Sequence, residues 1–168
     1  MDKTQIAKDI RGAIKSGQLE TLKDLLEKEP EMLTWVTPFG TWLHIAAAHG
    51  HLEMIEYLIN AGIDTNAQGG TFSTNALERA ATKGHLDIVE YLINQNVEID
   101  TSEPDRNPLF AAIYGGHFEI VKLLVNNIDI SIKYSGDNMK DMDAYAFAIE
   151  RGQTEIAEYL KRKMDEKE

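Results

Sequence analysis

Apolar residues in this chain recur at helical spacing, in blocks separated by short polar stretches. Leu52, Ile55, Leu58 and Ile59 form one block, and Leu86, Val89, Leu92 and Ile93 another. Each marks one face of an amphipathic helix. A glycine stands shortly before each block, and five such glycines run through the chain: Gly17, Gly50, Gly84, Gly116 and Gly152, spaced 33, 34, 32 and 36 apart. Four residues before them stand Ala13, Ala46, Ala80, Ala112 and Ala148, and seven before stand Ile10, Leu43, Leu77, Leu109 and Tyr145. Three after come Glu20, Glu53, Asp87, Glu119 and Glu155, and eight after come Leu25, Leu58, Leu92, Leu124 and Leu160. The 168 residues therefore hold about five units of one repeat.

The columns have physical readings. Nine residues before the last four glycines lie Thr41, Asn75, Asn107 and Asp143, all favoured N-cap residues. Pro108 follows Asn107 at the first helical position, where its missing N–H costs nothing. A short first helix is thus predicted to run to the glycine, which ends it with a positive φ. The acid three residues later (Glu53, Asp87 or Glu119) complements the dipole of a second helix. Gly62, Asn96 and Asn127 are expected to end these second helices in the left-handed conformation. Residues 63–67 and 97–100 alternate apolar and polar positions, as turn-and-strand linkers would. Variable tips follow at 34–40, 68–74, 101–106 and 134–141. Helices of about nine residues are marginal alone in water, so each unit needs neighbours to cover its apolar face. The expected fold is mainly α, a stacked solenoid of helix-turn-helix units.

These residues resemble a known family. Gly50-His51-Leu52-Glu53-Met54-Ile55, the segment from Gly84 to Leu92 and the segment from Gly116 to Leu124 look like the second-helix signature of ankyrin repeats. Thr41-Trp42-Leu43-His44-Ile45-Ala46-Ala47 is similar to the family's Thr-Pro-Leu-His-x-Ala-Ala, with Trp in place of Pro. The segment from Asn107 to Ala112 keeps Pro108 but loses the His, and the segment from Asn75 to Ala81 keeps only the Leu and the alanines. The resemblance implies an ankyrin-repeat solenoid joined by β-hairpin loops, forming one domain over 1–168. Its repeats would lie near 5–33, 37–66, 67–100, 103–132 and 138–163, with the first and last as degenerate caps. It also implies that hairpin tips and first helices line a concave, protein-binding side.

Candidate chemistry is sparse. The resemblance gives His44, His51, His85 and His117 structural roles, leaving His49 at the end of a first helix. A zinc site would need His49 and His51 to converge with a carboxylate, but they belong to different helices. No Ser/His/Asp or Cys/His set can be assembled. The segment Gln68-Gly69-Gly70-Thr71 lacks the Gly-Lys-Ser/Thr ending of a phosphate loop. No enzyme activity, cofactor or metal is expected.

The residues least explained by folding lie on tips and first helices: Trp35, Phe39, Trp42, Phe72, Glu78, Arg79, Lys83, Glu103, Asp105, Arg106, Tyr114 and Tyr134. Aromatic residues and Arg are the usual anchors of interfaces. Phe72, Tyr114 and Tyr134 are expected to be exposed. Trp35 and Trp42 have a second reading, as packing that shields the N-terminal cap.

Composition narrows the partners. There are no cysteines, no membrane-length apolar run and no secretory h-region, which together fit a cytoplasmic protein. The net charge of -11 argues against nucleic acid and anionic membranes. Most of it belongs to residues 34–132, with 12 acidic against 4 basic side chains, a net of -8. On the register, Glu78, Glu103 and Asp105 face the inner helices and tips and are balanced by Arg79, Lys83 and Arg106. The expected function is a non-enzymatic protein–protein interaction module, monomeric on its own. With both caps and no second domain, it resembles small ankyrin proteins of the stand-alone inhibitor or immunity type, which bind one folded partner such as a toxin or enzyme. The alternative is an adaptor or scaffold bridging two proteins, with Glu56, Glu90 and Lys122 on its second face.

Overall fold

A computed structural model describes residues 2–167. Ten α-helices follow one another among them: α1 Lys3–Lys15, α2 Leu19–Lys28, α3 Trp42–His49, α4 Leu52–Asn60, α5 Ala76–Lys83, α6 Leu86–Asn94, α7 Pro108–Gly115, α8 Phe118–Val125, α9 Ala144–Glu150 and α10 Thr154–Glu166. They form five antiparallel pairs, and the first helices α1, α3, α5, α7 and α9 pack side by side in that order. The alanine column makes this approach close: Ala13, Ala46, Ala80, Ala112 and Ala148 are all buried. The outer row of second helices is more loosely joined. The mainly helical, stacked ankyrin-type fold expected from the sequence is the one observed.

Local chemistry explains the joints. Thr41, Asn75, Asn107 and Asp143 are the N-caps of α3, α5, α7 and α9. Asn75 also ties neighbouring repeats: its Nδ2 donates to Glu98 O at 2.7 Å, and Asn66 Oδ1 accepts from Glu98 N at 2.9 Å. Gly50 and Gly84 end α3 and α5 with φ of 78° and 83°. A Cβ there would also come within 2.6 Å of the imidazole of the following repeat, His85 or His117. These glycines thus serve both a left-handed backbone and a close approach between repeats. The same imidazoles donate through Nε2 to the end of the preceding first helix, His85 to Ala48 O at 3.1 Å and His117 to Thr82 O at 3.0 Å. His51 makes a longer contact with Lys15 O, 3.4 Å.

His44 is buried and bridges differently. Thr41 N donates to its Nδ1 at 3.0 Å, so Nε2 carries the proton and donates to Thr74 O at 2.7 Å. One histidine thereby ties the start of its helix to the next tip.

Three local expectations are corrected. Residues 63–67 and 97–100 are not strands. Asp64 Oδ1 accepts from Asn66 N, and Asp100 Oδ1 accepts from both Ser102 N and Ser102 Oγ, so these segments curl into side-chain-stabilised turns. The tips at 34–40 and 68–74 carry isolated bridges, Thr37 with Gly40 and Gly69 with Thr74. Among the described residues one true hairpin forms, β1 Tyr134–Gly136 with β2 Met139–Met142, antiparallel with Tyr134 opposite Met142. Asn96 is left-handed as expected, but Asn127 is not. Its Nδ2 donates back to Leu123 O at 3.0 Å, and the chain leaves α8 without a left-handed step.

Candidate protein-binding surface

The concave side is built from three columns of the repeat, counted back from the anchor glycine. Six residues before it stand Arg11, His44, Glu78, Phe110 and Ala146; two before stand Lys15, Ala48, Thr82, Tyr114 and Glu150; one before stand Ser16, His49, Lys83, Gly115 and Arg151. Positions six and two before the glycine lie one helical turn apart on the same face. The tips fold down beside this row.

Together they enclose three adjoining depressions. A cleft of about 390 Å³ is walled by Phe72, Glu78, Asp105, Tyr114, Met139 and Phe147. Phe110 forms its floor, stacked on Phe147 at 4.9 Å and 11° and meeting Tyr134 edge-on at 5.1 Å. A second depression, about 310 Å³, shares Phe72, Glu78 and Thr82 with the first and adds Phe39, Arg79 and Lys83. A third, about 290 Å³, shares Pro38 and Phe39 with the second and adds Lys8, Arg11 and Trp35. They make one groove, with Phe39 and Phe72 as its dividing ridges. Those two rings are 49% and 55% exposed, and Tyr114 is 58% exposed, so large aromatic faces stand in water.

The groove collects Trp35, Phe39, Phe72, Glu78, Arg79, Lys83, Asp105 and Tyr114 from the twelve sequence candidates. Trp35 is half-buried against the core at its edge. Glu103 is exposed on the third tip. Arg106 turns aside to Asp100, 3.8 Å away, and its Nε donates to Phe72 O at 3.3 Å, bracing the second tip.

Two candidates are corrected. Trp42 is fully buried, and its Nε1 donates to Met32 O at 2.7 Å. The 3₁₀ turn Pro30–Thr34 carries Met32 back over the first repeat, so Trp42 belongs to the N-terminal cap and offers nothing to a partner. Tyr134 is likewise buried. Its hydroxyl donates to Thr101 O at 2.6 Å and accepts from Asn107 Nδ2 at 3.0 Å, which pins the last hairpin to the neighbouring repeat.

The balance of charge on this side is not a set of ion pairs. Glu78 spends its carboxylate on Thr82 Oγ1, 2.8 Å away, and Arg106 pairs with Asp100. Arg79 and Lys83 are left without carboxylate partners among the described residues.

Sequence reasoning missed Phe110, Phe147, Met139, Lys8, Arg11 and Lys15. Two signals were present. Phe110 and Arg11 occupy the signature-His column, and Phe147 stands one position on, where the other units have Gly12, Ile45, Arg79 and Ala111.

Two histidines on this side are perturbed by their surroundings. Burial pushes the His44 imidazole below its ordinary pKa, Thr74 O opposes this, and Arg79 adds to it. His49 is lowered by burial first, then by Lys15, His51, Lys83 and Arg11. No group of three His, Cys, Asp or Glu side chains among the described residues is arranged to hold a metal ion. No helix there is long and apolar enough to cross a membrane.

Known proteins match this sequence. A family model described as ankyrin repeats, in three copies, matches residues 10–105 and 100–167. The chain is 32% identical over 150 residues to the ankyrin repeat and KH domain-containing protein mask-1 of Caenorhabditis elegans, covering 89% of this chain and 5% of that protein. The chain therefore spans only a small part of that relative's length. Stacked helix pairs, glycine–histidine junctions and a family match over nearly all of its length place the same label on it: the chain belongs to the ankyrin-repeat family, a fold of protein–protein interaction.

Proposed function

We propose that this chain holds a segment of one folded partner protein in its concave groove, and that it acts by sequestering that partner. The observation that carries this is the continuity of the three depressions through exposed Phe39 and Phe72. A rigid framework that presents fixed aromatic anchors binds with little entropy lost on its own side. Inhibition by occupancy, of the immunity type, needs only this surface. Residues 1–168 act in this reading as one array, a cytoplasmic monomer without cofactor or metal.

A hydrolase built on His49 or Glu78 has little support. His49 is surrounded by cations rather than by a carboxylate that would orient it, and Glu78 is held by Thr82. An adaptor would need a second binding face. The outer helices offer exposed Glu56 and Glu90, and Lys122 is paired with Glu119 at 3.0 Å. Such surfaces are ordinary solvated ones.

The test is purification of the chain from its native host with whatever it holds, followed by an assay of the partner's activity. Sequestration predicts one partner whose activity falls when the chain is added. A partner left fully active, or two partners held at once, favours the adaptor.

A further inference from the structure

The groove is divided by charge along its length. Its N-terminal half gathers Lys8, Arg11, Arg79 and Lys83 around Phe39, and Lys15 and His49 adjoin them at the ends of α1 and α3. The Arg11 guanidinium lies 4.6 Å from the centre of the Phe39 ring, held by the ring face rather than by a carboxylate. None of Lys8, Arg11, Lys15, Arg79 and Lys83 makes an ion pair among the described residues, nor do Lys133, Lys140, Arg151 and Arg162 elsewhere, whereas Lys3, Lys23, Lys28, Arg106 and Lys122 all do. The first five cluster on one face of a chain whose net charge is -11.

Complementing helix dipoles does not explain them. Lys15, His49 and Lys83 do sit in last turns, where a cation contributes about 0.3–1 kcal/mol. Yet α7 occupies the same register with no basic residue in the last turn, and Arg11 and Arg79 lie outside it. In the last repeat the matching residue is Arg151, the C-cap of α9, and its guanidinium lies 4.5 Å over the Tyr114 ring. The C-terminal half of the groove is aromatic instead, with Phe72, Phe110, Tyr114 and Phe147.

We propose that the partner segment in this groove carries an acidic stretch, seated against Arg11, Lys15, Arg79 and Lys83, next to a large apolar side chain seated between Phe72, Tyr114 and Phe147. The proposal rests on the reading that the concave face binds the partner. Charge complementarity selects the occupant: uncommitted N–H donors in a row suit carboxylates, and the adjoining apolar cleft suits a side chain without charge. A nucleic acid is the poorer fit, because the remaining surface is strongly acidic and repels a long polyanion. His49 reports on occupancy. Burial lowers its pKa first, and the neighbouring Lys15, Lys83 and Arg11 lower it further, so carboxylates seated among them raise it.

The experiment uses short synthetic peptides carrying a run of aspartate and glutamate beside leucine and tryptophan, with matched peptides in which glutamine or lysine replaces the acids. A single-stranded oligothymidylate is the polyanion control. Binding is followed by fluorescence anisotropy at low and high salt, and the His49 ring by NMR titration. The acidic peptide is expected to bind at least about tenfold more tightly than its glutamine counterpart, to weaken with salt, and to raise the His49 pKa. The combined variant Arg11→Gln, Lys15→Gln, Lys83→Gln should abolish that preference. A charge-matched control, Lys23→Gln, Lys28→Gln, Lys161→Gln, should leave it intact. If the combined variant does not fold, Lys15→Gln and Lys83→Gln are read singly, since both side chains are exposed.

Equal binding of acidic and glutamine peptides, or tighter binding of the oligothymidylate, overturns the proposal. The native partner separates the two layers of the argument. If its binding survives the charge changes but is lost on Phe72→Ala and Tyr114→Ala, the concave reading stands and the acidic occupant falls. If neither set affects it, both fall.

Discussion

At the two central junctions between repeats the chain meets one packing problem and solves it the same way, with Gln153 taking the histidine's place against Gly116 at the last, whereas along the concave columns no two units agree. Gly50 faces His85 and Gly84 faces His117, each imidazole donating to the end of the preceding first helix. The signature-His column instead runs Arg11, His44, Glu78, Phe110 and Ala146. The difference lies in what each residue touches. A junction residue meets the neighbouring copy of the same unit, so its identity is narrowed by the repeat to His51, His85 and His117, with Gln153 at the last junction. A concave residue meets solvent or a partner, and a partner is not periodic. His44 marks the boundary, because it lies in the variable column and is nevertheless buried and bonded as a junction residue is.

Substitutions can break the contrast. Leu92→Ala, deep in the shared core at 0% exposure, should cost about 2–5 kcal/mol in urea unfolding, as a cavity does. His44→Ala should cost about 1–3 kcal/mol, because Thr41 N and Thr74 O lose their partner in a buried place. It should also change the pH dependence. The folded pKa of His44 lies below its unfolded value of about 6.5, so its contribution is complete above that value and is lost as pH falls below it. Unfolding curves of the parent protein should therefore weaken between neutral and mildly acidic pH, and those of His44→Ala should weaken less. Tyr134→Phe should cost about 1–2 kcal/mol by freeing Thr101 O and Asn107 Nδ2. This tyrosine was expected on the surface, and no loss of stability would return it there.

The smallest stability effects belong to the groove. Phe72→Ala and Tyr114→Ala should change unfolding by no more than about 0.5 kcal/mol. The same changes should weaken partner binding by about 1 kcal/mol or more, measured by calorimetry on the co-purified complex. A protein that unfolds on either change would place those rings in the framework.

The same contrast decides what was legible in the sequence. Helices, caps and glycines could be read because they recur, and each recurrence tests the reading of the others. Trp42 and Tyr134 could not be read, because each is unique and its burial depends on a distant partner, Met32 O ten residues back or Thr101 O in the preceding repeat. The linkers at 63–67 and 97–100 misled for another reason. Their alternation suits a strand, but Asp64 and Asp100 capture nearby backbone amides before any strand can pair. The cationic face was hidden by counting charges along the chain. A count of charges does not show that Arg79 and Lys83 make no ion pair among the described residues, while Glu78 accepts from Thr82 and Arg106 pairs with Asp100.

Amide hydrogen exchange, with and without the co-purified partner, tests the central claim most directly, because it reads both faces of the array at once. A concave site predicts added protection at residues 39–40, 70–72, 78–83 and 111–115, with α4 and α6 unchanged. Protection confined to α4 and α6, with the tips exchanging as freely as before, would contradict it.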